Sequence, residues 1–244
     1  ESKEQRYMTH LYIIRHGQAI SAVENTVGDT GLSPLGVKQA ERLRDRLAAT
    51  GEIKADVLIA STLLRAKETA EIIAPALDLP IIFDREVEEW REGEAEHYTA
   101  AEYEKMFMAV DIGQRPFVHL IPTAESWSQF ILRAATALNR ITHEYAGKTI
   151  VIVAHGGIVD ASFILFFGLS GLRFTPAFFD THNTSITHWI YATLTGFPPN
   201  WILERYNDIM HLRDIDSPTR IPWKELVSFP RGRTDESVVP TEAE

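Results

Sequence analysis

The stretch Leu11-Tyr12-Ile13-Ile14-Arg15-His16-Gly17 decides the fold prediction for this chain. Its apolar run is typical of a buried β-strand, and the run stops at a guanidinium and an imidazole. The glycine directly after the histidine leaves room for another group to approach the backbone. The pattern therefore predicts a core strand that delivers a histidine to one edge of a sheet.

Two further strands are predicted to end in a similar way. The apolar run 149–153 leads into AHGG at 154–157, and the run 57–60 leads into STLLR at 61–65. The three strand ends together present two histidines and two arginines. Arginine supplies permanent charge and planar donors for phosphate oxygens, so this set indicates a phosphoryl ligand rather than a metal ion.

Strands and helices alternate along most of the chain. Ser33 caps a helix that has Pro34 in its first turn and ends at Gly51. The other predicted helices span 63–77 and 126–145, and the later strands span 56–60, 81–83, 149–153, 184–191 and 201–206. On the 126–145 helix, the positions expected to face the core are Phe130, Leu132, Ala134, Leu138 and Ile141. The alternation predicts an α/β fold, a three-layer α/β/α sandwich with a mostly parallel sheet, in which ligands bind outside the carboxyl ends of the strands.

The predicted elements fit a single domain over 8–212. Residues 18–32 are expected to form a loop. The segment 84–122 lacks a clear hydrophobic period and is interpreted as an insertion carrying short helices. Residues 213–244 are predicted to be a loop-like extension, disordered at its polar end.

Composition and charge limit the classes of partner. The formal net charge is −10, whereas nucleic acids and anionic membranes require a basic protein surface, so neither is expected as a partner. No apolar stretch approaches the roughly 20 residues of a membrane span, and residues 1–6 are too polar for an export signal. The chain has no cysteine, which excludes thiol nucleophiles and zinc–thiolate sites. We therefore expect a cytoplasmic protein that binds a small phosphorylated molecule; no oligomeric state is predicted.

Phosphoryl transfer makes definite demands on such a site. Charge on the peripheral phosphoryl oxygens needs positioned positive groups. An imidazole is a nucleophile when a hydrogen bond holds the proton on its far nitrogen, and Gly17 leaves the backbone open for such a bond. A second histidine would donate to the phosphoryl oxygens, and the departing alkoxide needs a proton from a carboxylic acid.

Four motifs, in order along the chain, carry a resemblance to a known family. They are LYIIRHGQ at 11–18, GLSPLG at 31–36, STLLRA at 61–66 and VAHGG at 153–157. The chain resembles the histidine phosphatase (phosphoglycerate mutase-like) superfamily, and within it the phosphatase branch. The resemblance implies the phosphoglycerate mutase-like fold and a phosphohistidine intermediate, with no metal or other cofactor.

The resemblance also implies roles for individual residues. His16 would become the phosphohistidine, while Arg15, Arg65 and His155 would complete the phosphate pocket. The stretch VEEWREGEAE at 87–96 is similar to the family pattern L-x-E-x-x-x-G-x-x-E, which places the proton donor at Glu89.

Other positions match the family less directly. Glu88 is the alternative proton donor, and Gln18 and Gly156 would lend further polar contacts to the phosphate. Family members often carry an asparagine seven residues after the motif arginine, where this chain has Ala22. Asn25, three residues later, is the candidate to replace it.

The expected function is phosphomonoester hydrolysis on a small phosphorylated metabolite. A mutase is the alternative within the family, but the related mutases carry E-R-x-Y-G around the donor and this chain has EWREG at 89–93. A non-catalytic phospholigand-binding member is a second alternative, although no core residue is missing. A 2H phosphoesterase would use H-x-T motifs such as His97-Tyr98-Thr99 and His182-Asn183-Thr184, but His97 lies in an acidic segment without strand periodicity.

The remaining polar residues divide into two groups. Residues expected to select the substrate are Arg91, Tyr98, Tyr103, Arg115 and Arg173. The histidines expected to be ordinary surface or core residues are His10, His119, His143 and His211.

Overall fold

A six-stranded sheet forms the centre of the protein in the computed structural model, which describes residues 8–95, 98–174, 179–213 and 215. The strands are β1 (Thr9–Arg15), β2 (Val57–Ala60), β3 (Ile81–Phe83), β4 (Thr149–Ala154), β5 (Ile186–Ala192) and β6 (Asn200–Asp208). They lie in the order β3-β2-β4-β1-β5-β6. The first four pair in parallel, and β5 is antiparallel to both of its neighbours. The predicted mostly parallel sheet is confirmed.

The helices follow the predicted alternation, with one addition. They are α1 (Ile20–Glu24), α2 (Pro34–Thr50), α3 (Leu64–Leu77), α4 (Ala100–Ala109), α5 (Trp127–Glu144) and α6 (Gly156–Phe166). The prediction of a plain loop over 18–32 was wrong, because α1 lies within it. A helix of five residues is too short to show a hydrophobic period, and none of its residues is buried.

Helices cover both faces of the sheet, as the three-layer prediction requires. Successive strand residues point to opposite faces. Ile13 of β1 packs in a core cluster with residues of α5 and α6, whereas Ile14 packs with Leu43 of α2 and Ile73 of α3. The sheet is therefore buried on both faces, and a ligand can reach the strands only at their ends.

One predicted core position of α5 is wrong. Phe130 and Leu138 are fully buried, but Leu132 is 70% exposed. Two residues along an α-helix correspond to a rotation of about 200°, so Leu132 points away from the stripe that contains Phe130. The start of α5 agrees with the prediction, since Ser126 and Gln129 form a capping box.

The segment 84–122 carries a 3₁₀ turn (Arg85–Val87) and α4, in agreement with the expected short helices. Of the expected extension over 213–244, only Arg213 and Ile215 are among the described residues. None of the helices in the described part of the chain is long and apolar enough to span a membrane.

Candidate active site

Three strand ends meet at one edge of the sheet. β4 lies between β1 and β2, and Ala154 is in register with Arg15 while Val153 is in register with Ala60. The pairing continues one step past the strands, because the His16 amide donates to the Ala154 carbonyl at 2.9 Å. A cavity of about 480 Å³ opens at this edge. Four predicted residues line it besides His16, namely Arg15, Arg65, Glu89 and Gly156.

The His16 ring is held in one tautomer. Its Nδ1 lies 2.6 Å from the Gly17 carbonyl oxygen, and a carbonyl can only accept, so Nδ1 carries the proton. The expected backbone bond to the far nitrogen is therefore present. Nε2 keeps its lone pair and accepts from the Arg65 Nε at 3.2 Å. His16 is almost fully buried, and its nucleophilic nitrogen lies beside a permanent cation.

Close backbone packing fixes the loop after His16. A Cβ atom on Gly17 would lie 2.6 Å from the Gly36 carbonyl oxygen, so the start of α2 can approach only a glycine here. The Gly17 amide donates to the Thr69 hydroxyl at 3.0 Å, and that hydroxyl donates to the Arg65 carbonyl at 2.7 Å. Thr69 thus couples the histidine loop to the helix that carries Arg65.

The turn at 182–184 supports His16 from the opposite side. The Asn183 side chain donates to the His16 carbonyl at 3.0 Å, and the Thr184 amide donates to the carbonyls of Arg15 and His16. His211 lies behind Thr184, with its Nε2 3.0 Å from the Thr184 hydroxyl oxygen. Burial, followed by the charge of Arg46, lowers the pKa of His211 to about 4, so its ring is neutral at neutral pH. His211 is therefore a part-buried neutral residue that supports the turn behind His16.

His155 lies next to His16 and is fully buried. The two ring centroids are 5.1 Å apart. The Leu63 amide donates to the Ser61 hydroxyl oxygen at 3.2 Å, and the same hydroxyl lies 2.7 Å from the His155 Nε2. The other ring nitrogen of His155, Nδ1, is buried and has no hydrogen-bond partner among the described residues. Burial and the positive charges around it lower the pKa of His155 well below its usual value, so this ring is a neutral donor.

Glu89 brings a carboxyl group to the cavity from the 84–122 segment. One oxygen accepts from the Gly157 amide at 3.1 Å, at the first turn of α6, and the other accepts from the Trp90 amide at 3.0 Å. A Cβ atom on Gly157 would lie 2.1 Å from this carboxyl group. The second glycine after His155 is thus required for the carboxyl group of Glu89 to reach its place.

Glu88 has different surroundings, although it is the adjacent residue. Its carboxylate accepts from the Thr62 hydroxyl and from the Arg91 Nε, the latter at 2.8 Å. It does not line the cavity. The geometry therefore favours Glu89 over Glu88 as the proton donor.

Arg133 holds the backbone on which Glu89 sits. Its guanidinium donates to the carbonyls of Glu86, Glu88 and Glu89 at 2.9 to 3.1 Å. It also forms a two-pronged ion pair with Glu125, in which both N···O distances are 2.7 Å. Sequence reasoning missed this arginine, which lies on the second turn of α5.

Two predicted contacts are not found. The Gln18 side chain lies outside the cavity lining, because its oxygen accepts from the Ser33 hydroxyl at 2.7 Å and so supports the start of α2. Asn25 ends α1 in the left-handed conformation, with φ at 54°, and also lies outside the lining. Ala22 of α1 does face the cavity. Asn25, three residues after the family position, therefore does not occupy the place of the family asparagine.

The proposed substrate-selecting residues also lie outside the lining. Arg91 pairs with Glu88, and Arg115 donates to the carbonyls of Met108 and Val110. Tyr103 is close enough to a cavity residue, Glu92, to feel its charge: burial and then that charge raise the pKa of Tyr103 to about 12. His97 of the alternative phosphoesterase motif lies outside the described residues.

The lining residues that sequence reasoning missed include five with aromatic or acidic side chains: Trp90, Glu92, Trp127, Asp160 and Phe179. Asp160 lies one helical turn beyond Gly156, a spacing that places both on one face of α6 and was available as a signal. Solvent reaches Glu92, yet the enclosing protein desolvates its carboxyl group. This desolvation raises the pKa of Glu92, Arg65 opposes the rise, and Glu89 adds to it.

Comparison with known proteins places this geometry in a family. The model of the histidine phosphatase superfamily (branch 1) matches residues 11–208. Phosphoglycerate mutase-like protein 4 of Arabidopsis thaliana is 27% identical over 215 residues, covering 84% of this chain and 87% of the relative. The metal-independent phosphoserine phosphatase of the same plant is 25% identical over 231 residues, covering 87% of each chain.

A solved structure supports the same assignment at the level of the fold. A phosphoserine phosphatase mutant from Entamoeba histolytica, in complex with phosphoserine, matches with a TM-score of 0.66 at 24% identity, covering 84% of this chain and 99% of that chain. The family model itself spans most of the sequence, including all three strand-end motifs. This protein belongs to the histidine phosphatase superfamily.

Proposed function

We propose that this protein is a phosphomonoester hydrolase that acts on a small phosphorylated metabolite through a phosphohistidine intermediate. One observation carries the proposal: the His16 Nδ1 proton is bonded to a backbone carbonyl, so Nε2 carries the lone pair that attacks phosphorus. Arg15 and Arg65 line the same cavity and supply the charge that a phosphoryl group needs. Membership of the superfamily, with phosphatases among the relatives, supports the same reaction.

In the first step, the lone pair of the His16 Nε2 attacks phosphorus and the bond from phosphorus to the ester oxygen breaks. The electron pair of that bond leaves on the alcohol oxygen, which takes a proton from the Glu89 carboxylic acid. The two arginines and the Nδ1–H of His155 stabilise the peripheral oxygens as charge shifts among them. The products of this step are the free alcohol, a Glu89 carboxylate and phosphohistidine.

In the second step, water attacks the phosphorus of phosphohistidine. The Glu89 carboxylate takes one proton from that water, and the bond between phosphorus and the His16 Nε2 breaks. Inorganic phosphate leaves, and both side chains return to their starting protonation states. Glu89 thus serves as acid and then as base, which is why its position beside the cavity matters more than that of Glu88.

The cavity favours hydrolysis over a mutase reaction. A mutase must retain a doubly phosphorylated intermediate while that intermediate turns around. Here the carboxyl groups of Glu92 and Asp160 line the cavity, and their negative charges would repel a second phosphate. A mutase-like relative is about as similar to this chain as the phosphatase relative is. The choice of a hydrolase over a mutase therefore rests on the residues of this chain and not on the relatives.

The proposal is tested by product analysis in water labelled in its oxygen. Purified protein is incubated with a panel of phosphomonoesters that includes 3-phosphoglycerate, with and without the bisphosphate that primes mutases. We expect inorganic phosphate carrying one labelled oxygen, an unlabelled alcohol and no isomerised phosphoglycerate. Isomerisation faster than phosphate release would identify a mutase, and the absence of turnover across the panel would indicate a binding protein.

A further inference from the structure

The cavity of the proposed hydrolase carries two chemically different sets of side chains. Arg15 and Arg65 provide the positive charge, and they are the only lysine or arginine residues among the lining residues that the structure describes. The second set combines a carboxylate with aromatic rings, and its members are Trp90, Glu92, Trp127 and Phe179. With about 480 Å³ available, the cavity has room for a phosphate and for an alcohol portion beside it.

Glu92 differs from the other carboxylates near this site. Glu88 pairs with Arg91 at 2.8 Å, and Glu125 pairs with Arg133 at 2.7 Å. Glu92 forms no ion pair or hydrogen bond with another described residue. Desolvation by the cavity walls raises the pKa of its carboxyl group although the charge of Arg65 opposes the rise, which means that the protein compensates the anion only in part. A cation bound in the cavity would supply the rest.

The aromatic rings around Glu92 suit a particular kind of cation. Trp90 and Trp127 pack edge to face, with ring centroids 5.6 Å apart, and Phe179 lines the same cavity. The Trp90 indole donates to the Glu125 carbonyl at 2.7 Å, which fixes its orientation. Fixed aromatic surfaces beside a carboxylate bind alkylammonium groups, because both the ring quadrupole and the carboxylate attract a weakly hydrated cation.

We propose that the substrate is the phosphomonoester of an amino alcohol, with its ammonium group bound by Glu92 and the rings of Trp90, Trp127 and Phe179. This inference rests on the proposed hydrolase function and names its substrate class. The phosphate binds the arginines while the ammonium group lies against the second set, so the substrate's two charges match those of the cavity. Phosphomonoesters of hydroxy acids fit poorly, because their carboxylate would lie near Glu92.

The test compares substrates that differ only in charge. Phosphocholine and its carbon isostere 3,3-dimethylbutyl phosphate have the same shape, and 3-phosphoglycerate provides an anionic alcohol portion. We expect kcat/KM for phosphocholine to exceed that for the isostere about tenfold or more, with 3-phosphoglycerate the slowest. Since the ratio is taken within one protein preparation, it does not depend on the fraction of active protein.

Two variants test whether Glu92 causes the preference for phosphocholine over its isostere. Glu92→Gln keeps the shape but removes the charge, and we expect its phosphocholine-to-isostere ratio to fall to within about threefold of one. Glu94→Gln removes a charge two residues away, outside the cavity lining, and should keep the wild-type ratio. Equal kcat/KM values for the two substrates in the wild type, or an unchanged ratio in Glu92→Gln, would overturn the inference while leaving hydrolysis intact. Failure of every phosphomonoester to turn over would overturn both the hydrolase function and this inference.

Discussion

The two sides of the cavity are built differently. On the sheet side, His16 and His155 follow directly from paired strands, and backbone hydrogen bonds such as that from the His16 amide to Ala154 fix them. On the other side, Glu89 belongs to a segment outside the sheet and is held by side chains, chiefly Arg133. The sheet side places the nucleophile by strand pairing, whereas the far side places the proton donor through the Arg133 side chain, which bonds to the backbone carbonyls around Glu89.

This difference has a functional meaning. A nucleophile must keep one position relative to the phosphate, and strand register provides that position at the level of the backbone. The groups that we propose to contact the alcohol portion, such as Glu92, lie outside the sheet, so they can change without disturbing it. We therefore expect the strand ends to fix the nucleophile, and the proton donor and the substrate choice to depend on the segment around Glu89 and on the start of α5.

The largest effect is expected on the sheet side. His16→Ala removes the attacking nitrogen, so kcat/KM for any phosphomonoester should fall by about 10⁴-fold or more. His143→Ala is the matched control, since the ring of this exposed α5 residue hydrogen-bonds to the Asn139 carbonyl of its own helix. Steady-state phosphate release measures both. Turnover within tenfold of wild type in His16→Ala would remove the nucleophile from the mechanism.

The next effect separates two neighbouring carboxylates on the far side. Glu89→Gln should slow alkyl phosphates by about 10² to 10⁴-fold, and p-nitrophenyl phosphate much less, because a phenolate leaves without a proton. Glu88→Gln should change both substrates by only a few fold, since Glu88 bonds to Thr62 and Arg91 outside the cavity. Equal losses for alkyl and aryl substrates in Glu89→Gln would contradict the donor role.

Arg133→Lys tests whether the position of Glu89 depends on the hydrogen bonds and the ion pair of Arg133. Lysine keeps the charge but cannot bond three carbonyls and Glu125 at once, so Glu89 should lose its alignment. We expect a loss of about tenfold on alkyl phosphates and a smaller loss on aryl phosphates. Arg140→Lys, at a half-exposed position of the same helix, is the control. A uniform loss on both substrate types would show that Arg133 acts only through general stability.

The smallest effect concerns the support behind His16. His211 has a folded pKa of about 4 against 6.5 for an exposed histidine, so the unfolded chain binds more protons between these values. The free energy of unfolding should therefore have its full value above about pH 6.5 and should decrease as the pH drops toward 4. Protonation of His211 should account for roughly 2 kcal/mol of this decrease, which is less than the full pKa shift implies because the ring is partly accessible.

Denaturant unfolding at a series of pH values measures this contribution of His211. The buried His155 also has a lowered pKa and contributes with the same sign, so the wild type alone does not isolate His211. His211→Gln can keep a bond to Thr184 and does not titrate in this range. Its curve should be flatter than that of the wild type, and identical slopes would contradict the assignment.

The same contrast explains what the sequence predicted and what it did not. Apolar runs ending in histidine or arginine predicted three strand ends, and strand pairing then brought His16, Arg65 and His155 together. Gln18 and Asn25 lie outside the cavity lining, because the Gln18 side chain bonds to Ser33 at the start of α2 and Asn25 ends α1 in the left-handed conformation, and periodicity reveals neither feature.

The far side was less predictable for a physical reason. Glu89 was found through a family pattern, but Arg133 and Glu92 act through contacts between segments that are distant in sequence or irregular in structure. Such contacts depend on tertiary packing rather than on local spacing. Leu132 illustrates the same limit. This apolar residue of an amphipathic helix was assigned to the core, but it faces solvent.

The most direct test of the central claim is chemical trapping of the intermediate. Wild-type protein is mixed with a phosphomonoester labelled in its phosphoryl group, quenched rapidly in base and digested for peptide mapping. We predict an acid-labile, base-stable label on His16, absent from His16→Ala and accumulating in Glu89→Gln supplied with an aryl phosphate, because water attack is then slowed. Label on another residue, or turnover without any labelled protein, would contradict the claim that His16 is the nucleophile.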